Sequence, residues 1–132
     1  MGAGVSTGYE TSPAGTYGSA TRKGHVVAFH SSKTWKIHFE ASKQTPKLLV
    51  VNFTAAWCGP CQYIQPAVDG FAEIYRDVDF VKIDVDELDD VAQEFEVQTM
   101  PTFVLMKRGR EVDKVVGAKK EDLRKKIDNH RI

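Results

Sequence analysis

The chain is poor in cysteine and carries no excess of charge, and each shortage narrows what it can do. Only Cys58 and Cys61 of its 132 residues are cysteines. A zinc site normally needs four ligands. No second Cys-rich cluster is present, and His25, His30, His38 and His130 are scattered with no paired spacing. Eighteen basic residues balance eighteen acidic ones, so nothing electrostatic favours nucleic acid. No apolar run approaches the roughly 20 residues of a membrane span. The N-terminus has no apolar h-region, so no secretory signal is expected. One domain with a proper core fits the length.

What is there centres on Trp57-Cys58-Gly59-Pro60-Cys61. Before it, Leu48-Leu49-Val50-Val51-Asn52-Phe53 is short, apolar and β-branched, a buried-strand pattern. After it, Ile64, Val68, Phe71, Ala72 and Tyr75 recur at helical spacing. The cysteines therefore sit where a strand hands over to the first turn of a helix. Residues i and i+3 of a helix lie about 5–6 Å apart on one face, within disulfide reach. Cys58, at the helix start, lies beside unpaired N–H groups and the positive dipole end, which favour the nucleophilic thiolate. Cys61, one turn inside, is placed to resolve a mixed disulfide. Pro60 suits a first turn because its missing N–H costs nothing there. Gly59 leaves room for a partner backbone, and Trp57 supplies a flat apolar shoulder. The bland alternatives are half a metal site and a structural disulfide, although so small a loop adds little stability. A CxxC pair in a chain without a signal favours redox chemistry in a reducing, cytoplasmic setting.

Residues 1–22 are rich in Gly, Ser, Thr and Ala without apolar periodicity and read as a flexible extension, with the folded domain spanning 23–132. Met1 to Ser6 match an N-myristoylation pattern with Gly2 as acceptor, the plain alternative being an unmodified tail. One acyl chain would give only weak, peripheral membrane binding. Strands are expected at Val26–Phe29, 48–54, Asp79–Asp84, Thr102–Met106 and Glu111–Val116. Helices are expected from Ser31 or Ser32 to Lys43, Gly59 to Tyr75 with Pro66 kinking it, Glu87 to Phe95, and Lys119 to Asn129. Trp35 is expected to pack in the core, and the acidic 87–95 segment to be solvated. The alternation predicts an α/β fold, a mixed five-stranded sheet with four helices on both faces.

With Trp57–Cys61, the Met100-Pro101-Thr102 step, Gly109 and Val116-Gly117-Ala118 occur in the order and spacing of thioredoxin. From about Gly24 to the C-terminus the chain resembles the h-type thioredoxins of plants, most closely in Phe53-Thr54-Ala55-Ala56 and in the run from Val85 to Gly109. The resemblance implies the thioredoxin fold and a monomeric protein-disulfide reductase without a cofactor of its own. Its partners would be disulfide-containing target proteins and an electron donor, either an NADPH-dependent thioredoxin reductase or a glutathione/glutaredoxin system. Cys58 would attack and Cys61 resolve. Pro101 would be cis, against the usual preference for trans, and Met100, Trp57, Val116, Gly117 and Ala118 would form the docking surface. One position departs: where the family usually has a buried aspartate, this chain has Asn52, which cannot act as a base at neutral pH. Slower deprotonation of Cys61 is expected, with water or Lys82 compensating in part. Lys82 alternatively reads as a strand lysine snorkelling to solvent. A redox-gated binding module with little turnover is the competing function.

Overall fold

The computed structural model describes residues 20–132; the Gly2 pattern lies outside the described residues. In chain order the elements are β1 (Ala20–Lys23), β2 (Val26–Phe29), α1 (Ser32–Ser42), β3 (Leu49–Thr54), α2 (Gly59–Ile74), β4 (Asp79–Asp84), α3 (Asp89–Glu94), β5 (Thr102–Lys107), β6 (Arg110–Val116) and α4 (Lys120–His130). They form one mixed sheet in the order β1-β2-β4-β3-β5-β6. The central strands β2, β4 and β3 run parallel, and both edges are antiparallel.

The sheet has six strands rather than the expected five. The added strand, β1, pairs antiparallel with β2 from Ala20↔Phe29 to Lys23↔Val26. Its sequence, Ala-Thr-Arg-Lys, has no buried residue, so it left no hydrophobic pattern to find. Three of its four residues fall in the segment read as an extension. Hydrogen bonding to an open sheet edge forms it, and its charged side chains discourage further strand addition. Helix α3 is also shorter than expected. Asp84 Oδ1 accepts the Asp86 N–H at 2.8 Å, a local turn that competes with helix and delays its start.

β3 is buried on both faces, and its alternation divides the core. Leu49, Val51 and Phe53 pack with Trp35 of α1 and with Val91 and Ala92 of α3. Leu48 and Val50 pack on the opposite side with Ile64, Val68 and Phe71 of α2 and Leu123 and Ile127 of α4. Asn52 shares the parity of Val50 and so faces α2. Trp35 is 1% exposed, as its core assignment requires. At the other edge, Arg108 (φ 51°) and Gly109 (φ 83°) form the two-residue turn between β5 and β6, where both φ values are left-handed.

Helix α4 is tied to β6 by Asp113. Its carboxylate accepts from His130 Nε2 at 2.9 Å and from the Lys114 N–H at 2.9 Å, with Lys126 Nζ 3.3 Å away. Burial opposes ionisation of Asp113, but these hydrogen bonds outweigh it and hold the carboxyl below its ordinary value of 3.8. A depressed folded-state pKa contributes stability that is present above the unfolded value and disappears as pH falls through the folded one. Asp113→Asn should therefore lower the melting temperature at pH 7, and the gap to wild type should close below about pH 4. A gap that persists unchanged at low pH in thermal melts would contradict this assignment.

Candidate active site

The site begins where β3 ends. Ala55 carries the chain out of the sheet, its carbonyl accepting the Cys58 N–H at 3.2 Å, and Cys58 then caps α2 in an extended conformation (φ −88°, ψ 113°). Cys58 Sγ accepts the Cys61 N–H at 3.2 Å, taking one of the donors that a helix start leaves free. The position is one where negative charge on sulfur is favoured by both the hydrogen bond and the dipole. Pro60 lies in the first turn. Cys58 and Cys61 are joined as a disulfide with Cα atoms 5.3 Å apart, and they are 4% and 2% exposed.

Around the pair, Trp57 is 69% exposed, yet its indole N–H donates to Asp86 Oδ2 at 2.8 Å. The ring is thus fixed at the surface beside the cysteines. A Cβ added to Gly59 would meet nothing within 4 Å, so the fold itself does not require glycine there. The Met100–Pro101 peptide bond is cis, the isomer the resemblance implies, and the Met100 carbonyl oxygen lies 3.7 Å from Cys58 Sγ. Gly117 (φ 100°) turns the chain back, its N–H donating to the Pro101 carbonyl at 2.8 Å. Val116 is 45% exposed, while Ala118 leans against the core shared by α2 and α4. Trp57, Cys58, Met100, Pro101, Val116 and Gly117 therefore converge from three chain segments on one surface.

Asn52 and Lys82 lie beneath this surface as register partners on β3 and β4. Asn52 is 3% exposed; its Nδ2 donates to Gln65 Oε1 at 3.3 Å, and its Oδ1 is buried with no partner among the described residues. Leaving such an acceptor unsatisfied costs about 1–3 kcal/mol. Lys82 lines a cleft of about 350 Å³ with Thr54, Gln62, Gln65, Asp84 and Glu87, and no hydrogen bond joins it to Asn52. Two residues escaped the sequence reading. Gln65 could have been found from its position one turn after Cys61 on the same helix face. Asp86 sits just before the acidic 87–95 segment that read as solvated surface, and no pattern linked it to Trp57.

The Thioredoxin family model matches residues 26–129. The chain is 50% identical to Thioredoxin H2 of Arabidopsis thaliana, over 99% of both sequences. It is 48% identical to Thioredoxin H2-2 of Oryza sativa subsp. japonica, over 97% of this chain and 94% of that one. The crystal structure of the thioredoxin NaTrxh from Nicotiana alata superposes with a TM-score of 0.82 at 59% identity, covering 85% of this chain and 97% of its own. A disulfide at the cap of α2, the surface converging on it and these matches lead to one conclusion: the chain belongs to the thioredoxin family and is a thiol-disulfide oxidoreductase that reduces protein disulfides through Cys58 and Cys61.

Proposed function

We propose that the chain acts as a cytoplasmic monomer that docks oxidised target segments across Trp57, Met100–Pro101 and Val116–Ala118 and takes its electrons from an NADPH-dependent thioredoxin reductase. The observation that carries the docking assignment is the placement of Cys58 Sγ, 3.7 Å from the Met100 carbonyl. A target strand laid along that backbone brings its own disulfide to the nucleophile.

The chemistry follows from the cap. In the reduced protein the Cys58 thiolate attacks one sulfur of the target disulfide. A Cys58–target bond forms, the target S–S bond breaks, and the second target sulfur leaves as a thiolate. Cys61 then gives up its proton and attacks Cys58 Sγ, forming the Cys58–Cys61 bond and releasing the first target sulfur. Two electrons pass from the dithiol to the target, and the donor returns them. Asn52 offers no base for the second step, so the Cys61 proton leaves through water.

Gly2 acylation fits the same reading. The likeness to Thioredoxin H2 extends over nearly the whole chain, N-terminal segment included, and the Gly2 pattern lies in that segment. A single acyl chain makes membrane association peripheral and reversible. Mass spectrometry of the protein expressed in plant cells should show the mass of a myristoyl group on the N-terminal peptide. An unmodified Gly2 would remove the membrane from the reading.

A coupled assay with NADPH, thioredoxin reductase and a disulfide substrate tests the cycle. Wild type should turn over, Cys58→Ser should be inactive, and Cys61→Ser should accumulate mixed disulfide without turnover. Asn52→Asp should raise the rate by up to about tenfold, below the ~10²–10⁴ of a fully engaged general base because water already serves. Activity with glutathione alone would change the donor. Failure with either donor, with Cys61→Ser still capturing partners, would leave a redox-gated binding module.

A further inference from the structure

The outer face of α2 is unlike that of a solvated helix. Residues 11 apart on a helix lie about 20° from one another around the axis and about 16 Å along it, so Tyr63 shares a face with Ile74, and Gly59 with Gly70. Tyr63 is 77% exposed and Ile74 71% exposed, and the Tyr63 hydroxyl has no hydrogen-bond partner among the described residues. Pro66 lies between them inside the helix, where it removes a hydrogen bond. A Cβ built on Gly70 would meet nothing within 4 Å, so the fold does not require glycine there, although glycine weakens a helix relative to alanine. No lysine or arginine falls in α2. Its carboxylates are Asp69, which takes the Gln65 Nε2–H at 2.9 Å, and Glu73, 3.6 Å from His25 Nε2, and both lie along one flank. By contrast, α4 places Lys120, Glu121, Lys125 and Asp128 at exposed positions.

We infer that this face of α2 continues the docking surface away from Cys58, and that its occupant is a folded target protein with an apolar surface beside its reactive disulfide. The inference rests on the docking of targets at Cys58 proposed above. The mixed disulfide seats a whole protein on Cys58 Sγ, and Cys58 is the residue that caps α2. A specific interface takes roughly 800 Å² from each partner, a disc of about 16 Å radius. Reaching along the helix from Cys58, a footprint of that size covers Tyr63 and ends near Gly70, with Ile74 one turn further. Tyrosine is among the residues that anchor interfaces, and the absence of charge on the face suits the centre of one. Bare backbone at Gly70 lets the partner come close.

The consequence is selectivity by size. A small disulfide reaches Cys58 without touching Tyr63, whereas a folded protein cannot reach Cys58 without covering part of α2. The face therefore favours protein disulfides over small ones and leaves the exchange chemistry unchanged. A second copy of the chain on the same face would cover Gly59 and shut off Cys58, so a lasting self-pair does not fit with turnover.

The test compares rate constants of the pre-reduced full chain with insulin, as the protein disulfide, and with 5,5′-dithiobis(2-nitrobenzoate), as the small one. Tyr63→Ser should lower the insulin-to-small-disulfide ratio about five- to tenfold, and Ile74→Gln should lower it less. Gly70→Gln places a side chain in open space, so it should melt no lower than wild type and still lower the ratio. A ratio kept within about twofold of wild type in Tyr63→Ser and Gly70→Gln would overturn the inference. Equal losses on both substrates would also overturn it, placing the effect in the cap and not in docking. A wild-type dimer in sedimentation that Tyr63→Ser dissociates would overturn it in favour of a second copy. Trp57→Ala separates the two readings: a ratio lost there but kept in Tyr63→Ser would strike this inference alone, whereas a ratio kept in both would strike the underlying docking surface as well.

Discussion

The hydrogen bond from the Cys61 N–H to Cys58 Sγ is the interaction on which the rest of the site depends. It exists because β3 stops at Thr54 and α2 starts at Gly59, leaving Cys58 as the extended residue between them. A sulfur in that position occupies the place of a capping oxygen, and the helix that it caps also presents its partner cysteine one turn later. The burial of β3 on both faces and the packing of α2 over Val50 and Phe103 keep this junction from moving. Core and chemistry are thus one construction: the apolar run that anchors the sheet is also what aims the nucleophile.

The proposed docking surface is assembled differently, from segments far apart in sequence. The Gly117 N–H to Pro101 carbonyl bond ties the end of β6 to the start of β5, and the Trp57–Asp86 bond holds an aromatic ring that would otherwise be free. An exposed apolar shoulder held by a polar pin keeps both its shape and its affinity for a target.

Much of this was legible in the chain. The CxxC spacing, the run at 48–54 and the helical recurrence after Cys61 located the junction, because burial and periodicity leave strong marks. β1 left none: three of its four residues are polar and exposed, and it exists through pairing with the edge of β2. The shortened α3 was hidden because an aspartate can close a turn or begin a helix, and here Asp84 did the former. The role of Asp86 depends on a contact spanning 29 residues, which no local pattern carries. The substitution at Asn52 was visible, whereas the relay through Gln65 to Asp69 that orients it needed three side chains in place.

The central claim is that the capping position, and not the CxxC spacing alone, makes Cys58 the nucleophile. Its most direct test is the pH dependence of alkylation of the reduced protein, with each adduct located by mass spectrometry. Cys58 should be modified at a midpoint below the ordinary cysteine value of about 8.5, with Cys61 unreacted over the same range. Equal modification of both cysteines, or modification of Cys61 first, would contradict the account.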